Sequence, residues 1–166
     1  PKVYEAYIGK GGTNVILRTL NEAGDSIQTF IGTPRPKKVT ASSTPDNTLE
    51  LTGIFTSDTI SEFSLAPEKD RFFGMTGTQS GIGNIYTFAG RSANVFSHPL
   101  KKWIPQWVNT ASVIMTSAPS AKTQNISYVL NPLNKSFTKL LGPKNGLVVS
   151  SSPTAAKILF SENKGN

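Results

Sequence analysis

Apolar and β-branched residues in this chain fall into short runs, each about the length of one strand and each bounded by turn residues. Such runs occupy residues 14–17, 26–31, 49–55, 71–75, 84–88, 112–116, 127–130, 136–141 and 157–161. Between them lie Gly11-Gly12, Ala23-Gly24-Asp25, Pro45-Asp46-Asn47, residues 80–84, Asn131-Pro132 and residues 142–146. These are segments rich in residues that tolerate positive φ or fix it. The one stretch with helical spacing, residues 15–23, also fits a strand followed by a hairpin turn over residues 21–25, and its surroundings favour the second reading. The pattern predicts an all-β protein with at most a short helical turn.

A weak internal repeat orders these strands. Residues 64–73 align with residues 150–159, which places Pro67 over Pro153, Arg71 over Lys157 and Phe72-Phe73 over Ile158-Leu159, roughly 86 positions apart. A copy midway, residues 106–115, and an earlier one, residues 5–16, keep the same order of parts. The period of about 43 residues lies within the range of a four-stranded propeller blade. The expected units run over about residues 4–55, 60–102, 103–146 and 147–161, within a single all-β domain or propeller fragment spanning residues 1–166.

Two segments carry a family likeness: Ile60-Ser61-Glu62-Phe63-Ser64-Leu65-Ala66-Pro67, and residues 150–161, which contain Ser152-Pro153. They resemble the repeat of TolB-like bacterial β-propellers, whose units carry a Ser-Pro-Asp-Gly-type turn before a strand. The middle of the chain, from Val95 through Trp103 and Trp107 to Leu147, is similar to bacterial envelope proteins with this repeat. Both turns depart from the pattern, since Glu68-Lys69 follows Pro67 and Thr154-Ala155 follows Pro153. The resemblance implies β-propeller-type repeats, about three to four four-stranded blades in a partial ring; a β-sandwich or jelly roll is the alternative. It further implies a non-catalytic module that presents loops to a protein or polysaccharide partner, in the periplasm, outside the cell or on its surface. An open arc leaves strand edges uncovered, so the expectation includes a homo-oligomer or the remainder of a longer propeller.

Composition narrows the chemistry. There is no Cys, which removes disulfides, thiolate metal sites and cysteine nucleophiles. Fourteen Gly and eleven Pro are spread as punctuation between short elements. No apolar stretch approaches the roughly 20 residues of a spanning helix. Beginning at Pro1, without Met, the chain reads as a processed or excised piece. The net charge of +7 is unevenly laid out: between Arg71 and Ser161 no Asp or Glu occurs, and nine of the ten carboxylates lie at or before Asp70. The later stretch by itself cannot supply a paired-carboxylate hydrolase site or an oxygen-ligand cation loop. It suits an anionic partner, so a polyanion-binding module is one alternative function, although nucleic acid is not favoured. A carbohydrate-active or hydrolytic propeller is another, and would need two of Glu5, Asp25, Asp58 and Asp70 to converge.

The densest aromatic and basic cluster joins Phe96, His98, Lys101, Lys102, Trp103 and Trp107. Flat rings beside cations can stack on sugars or bases and hold an anion; the same residues also suit a core wedge between neighbouring sheets. These six are the candidate binding residues. His98 is the single histidine, too few for a multi-His metal site, and Gly9-Lys10-Gly11-Gly12-Thr13 lacks the ending of a phosphate loop. The Gly spacing in residues 77–83 has no βαβ unit around it, and Arg35-Pro36-Lys37-Lys38 reads as an exposed turn. No catalytic residue, metal site or cofactor is expected.

Overall fold

In a computed structural model, residues 2–37, 48–119, 123–152 and 157–163 are described. The turn at Pro45-Asp46-Asn47, Lys38 and the Pro153-Thr154-Ala155 turn lie outside them. The described residues form fourteen strands and one short 3₁₀ turn, Lys10–Gly12. Their arrangement is sequential: β1 (Val3–Ile8), β2 (Val15–Leu20), β3 (Ile27–Pro36) and β4 (Leu49–Phe55) make sheet A in the order β1-β2-β3-β4. Sheet B is the meander β5 (Glu62–Leu65), β6 (Arg71–Thr76), β7 (Gly81–Thr87) and β8 (Ser92–His98). Sheet C is the meander β9 (Trp103–Asn109), β10 (Ser112–Ser117), β11 (Asn125–Leu130) and β12 (Phe137–Lys144). Sheet D has two strands, β13 (Val148–Ser151) and β14 (Ile158–Ser161). All pairings are antiparallel. Consecutive four-stranded meanders, with no strand exchanged between sheets, are blades of a propeller rather than halves of a sandwich.

The chain divides into two compact units. The first holds sheet A together with residues 88–90. Its interior mixes Ile16 and Ile31 with buried Arg18, Thr19 and Thr29. Arg18 is neutralised by Glu5 on the neighbouring strand, Nη1 to Oε2 at 2.9 Å. The β2–β3 hairpin turns as its residue types require: the Asn21 side-chain oxygen accepts the N–H groups of Asp25 and Ser26, and Gly24 takes φ 75°.

The second unit holds sheets B, C and D. Phe73 and Met75 from sheet B interleave with Trp103, Trp107, Val113, Met115 and Leu130 from sheet C, all nearly inaccessible to solvent. A polar contact ties the two sheets: the Trp107 backbone N–H donates to Ser64 Oγ at 2.8 Å, across 43 residues of sequence. The two stretches aligned in the repeat pair alike, Leu65 with Phe72 in sheet B and Ser151 with Ile158 in sheet D.

Two turn expectations give way to strands. Residues 81–84, Gly-Ile-Gly-Asn, belong to β7, where the glycines make space rather than a bend. A Cβ at Gly83 would run into the Phe73 ring, and one at Gly81 would come within 2.7 Å of Trp103. Gly142-Pro143-Lys144 likewise continues β12, an edge strand where the missing proline N–H breaks no ladder. Pro105 sits in β9, another edge strand of the same sheet.

Candidate functional site

Five aromatic rings meet where β8, β9, β11 and β12 come together. Phe96 packs edge-on to Trp103, with centroids 5.5 Å apart, and His98 does the same at 4.9 Å. Tyr128 and Phe137 stack on each other at 4.2 Å, and Phe137 closes on Phe96 at 5.1 Å. Trp103 is 1% exposed and its indole N–H donates to the Leu100 carbonyl at 2.9 Å. The ring is thus enclosed and its one polar atom satisfied. Trp107 is enclosed as well, with its indole N–H on the Asn109 carbonyl and the Arg71 guanidinium 5.6 Å over its ring.

This cluster underlies the loop that joins β8 to β9, and the loop is fixed at three points. The Leu100 carbonyl accepts a second hydrogen bond, from the Gly81 N–H at 3.0 Å. The Leu100 N–H donates to His98 Nδ1 at 3.0 Å, and the Ala118 N–H donates to the Lys102 carbonyl at 3.0 Å. Burial holds the His98 imidazole below the ordinary histidine pKa, so the ring is neutral near pH 7 and Nδ1 is free of a proton to accept that bond.

On this frame Lys101 and Lys102 project as adjacent exposed side chains. They line one side of a groove of about 360 Å³ whose other side is formed by Ser117, Pro119, Thr123 and Gln124. No carboxylate lines it, which follows from their absence between Arg71 and Ser161. Of the six residues singled out by spacing, Phe96, His98 and Trp103 share one aromatic cluster, Lys101 and Lys102 stand at its rim, and Trp107 belongs to the same buried core, beneath the Arg71 guanidinium. Tyr128, Phe137 and Arg71 completed these contacts without a local sequence signal, because strand pairing brings them in from distant positions.

Three of the four carboxylates considered for hydrolysis have separate engagements. Glu5 is held by Arg18, Asp25 accepts from Asn21 Nδ2 at 2.6 Å in a hairpin turn, and Asp70 sits 3.5 Å from the Arg71 guanidinium. Among the described residues no three His, Asp or Glu side chains gather as a metal site would require. Asn125, the first of two Asn-x-Ser sequons, is 1% exposed and donates its amide to the Ser117 and Ala118 carbonyls, so it presents no acceptor for a glycan.

No family model matches the chain, and no curated protein matches it. Among solved structures it is similar to the crystal structure of TolB from Acinetobacter baumannii, with a TM-score of 0.64 at 10% sequence identity. The likeness covers 99% of this chain and 39% of that one. The chain therefore spans about two fifths of the length of the TolB structure it matches, and at this identity the likeness establishes the fold. No helix among the described residues is long and apolar enough to cross a membrane. Sequential four-stranded meanders, the inter-sheet core and the structural match agree that the chain has a TolB-like β-propeller fold.

Proposed function

We propose that the chain is a non-catalytic propeller-type module, a single all-β domain or propeller fragment with repeat units over about residues 4–55, 60–102, 103–146 and 147–161, that binds a protein or polymer partner in the cell envelope. The contact is made through the β8–β9 loop and its groove. The observation that carries this reading is the contrast within that corner: Lys101 and Lys102 are exposed, while the backbone that bears them is pinned to Gly81 and Ala118 above a closed aromatic cluster. Loops held on a rigid scaffold bind with little ordering cost, and a groove lined by lysines with no carboxylate favours a partner with negative or hydrogen-bond-accepting groups. His98, Phe96, Trp103 and Trp107 serve this site from beneath, as the packing that sets the loop's shape.

The test is site-specific photo-crosslinking in fractionated extracts of the source cells. A crosslinker at Leu100, beside the two lysines, is expected to trap a defined species from the envelope fraction. The same group at Leu133, an exposed position in the β11–β12 turn, is expected not to trap it. Equal yields from both positions, or a species recovered equally from the cytosolic fraction, would overturn the reading.

A further inference from the structure

A cleft of about 670 Å³ opens at one end of sheet A, within the first unit and independent of the lysine-bearing groove. Its wall is made by Lys2 before β1, by Thr19 near the end of β2, by Gln28 in β3 and by Phe55 at the end of β4, with Glu22 of the hairpin turn at its edge. Register explains the grouping. Val3 and Gln28 both pair with Thr19, and Phe55 pairs with Phe30, so the four strands deliver these residues at neighbouring positions.

Three features of this wall bear on its occupant. Phe55 is 52% exposed, yet its ring is oriented by an edge-to-face contact with Phe30, centroids 5.2 Å apart. Thr19 is 4% exposed and its hydroxyl has no hydrogen-bond partner, which leaves a buried polar atom unsatisfied. Gln28 brings an exposed amide, both donor and acceptor, and the two charged residues, Lys2 and Glu22, are of opposite sign. An oriented aromatic platform, neutral hydrogen-bonding groups and no net charge match a pyranose ring, which presents an apolar C–H face and a polar hydroxyl edge. A phosphate would meet the Glu22 carboxylate, and an aliphatic chain would leave Thr19 and Gln28 unpaired.

We propose that this cleft is a saccharide-binding site, in which Phe55 stacks on the face of one neutral pyranose unit of a glycan while Gln28 and Thr19 hydrogen-bond its hydroxyls. The Asn21 side chain is committed to Asp25 and Ser26, so it shapes the turn at the rim and does not contact the sugar.

The test titrates the full chain with three uncharged hexasaccharides, of glucose in α-linkage, of glucose in β-linkage and of N-acetylglucosamine, followed by saturation-transfer NMR and calorimetry. At least one should bind, and Phe55→Ala, at a half-exposed position, should weaken it about tenfold or more with little change in melting temperature. Thr19→Val removes the unpartnered hydroxyl at nearly constant shape. It should leave the melting temperature unchanged or higher while lowering affinity, and Gln28→Ala should lower affinity in the same way. Absence of saturation transfer to all three sugars, or binding that survives Phe55→Ala and Gln28→Ala in folded protein, overturns the assignment.

Discussion

Sheet A and the pair formed by sheets B and C use the same four-stranded meander but fill its interior differently. At the B–C interface the buried cluster is apolar, and the polar residues buried in sheet C, Thr116, Ser117, Asn125 and Ser127, are hydrogen-bonded to one another or to backbone, as the two tryptophan indole N–H groups are. In sheet A the buried set includes Arg18, Thr19 and Thr29, with the hydroxyls of the two threonines unpartnered. Apolar rings interlock and hold a surface loop in one shape, whereas buried hydroxyls without partners leave hydrogen-bonding capacity unspent. One fold can thus supply a stiff apolar platform in one place and a cleft walled by an unpaired hydroxyl in another.

The strongest way to break this comparison is to hollow the platform. Trp103→Ala removes the centre of the aromatic cluster and should cost about 3–5 kcal/mol, read from urea unfolding. A loss below about 1 kcal/mol would mean that the cluster does not hold sheets B and C. Ser64→Ala deletes the acceptor for the buried Trp107 backbone N–H and should cost about 1–3 kcal/mol, with no matching loss when Ser92, an exposed serine in the same sheet, is changed instead. Glu5→Gln in sheet A should cost less, about 1 kcal/mol, because that carboxylate is 43% exposed and water screens its pair with Arg18.

A smaller effect concerns pH. Because burial lowers the His98 pKa, the unfolded chain takes up this proton at a higher pH than the folded one does. The contribution of His98 is therefore fully present above about pH 6.5 and is lost as pH falls from there through the lowered folded value. The change in urea midpoint between pH 7.5 and 5.5 should shrink in His98→Gln, and an unchanged pH dependence would remove His98 from the loop's support. Smallest of all, replacing Lys101 and Lys102 together by alanine should shift stability by no more than about 0.5 kcal/mol, since both are exposed and join no ion pair among the described residues.

The all-β class was legible because β2, β3, β4, β6, β10 and β11 carry dense runs of β-branched and aromatic residues. Other strands were hidden in whole or in part for identifiable reasons. β8 is rich in Ser and Asn, β9 is interrupted by Pro105, and β7, legible from Asn84 onward, opens with two glycines that are spaced for packing and look like a turn. Local sequence placed Phe96, His98 and Trp103 near one another, since they flank a single loop. It carried no sign of Tyr128 and Phe137, which reach the same cluster only through the β10–β11 and β11–β12 pairings. The sheet A cleft was equally hidden, because Lys2, Thr19, Gln28 and Phe55 are scattered over more than fifty residues and meet only through register.

The most direct test of the central claim, that a rigid aromatic core presents the β8–β9 corner to a partner, is competition against the crosslink formed at Leu100. Unlabelled native chain should abolish that crosslink. The Lys101→Ala/Lys102→Ala chain, with an unchanged melting temperature, should fail to compete. Full competition by the folded double variant would contradict the account and move the partner's contact away from this corner.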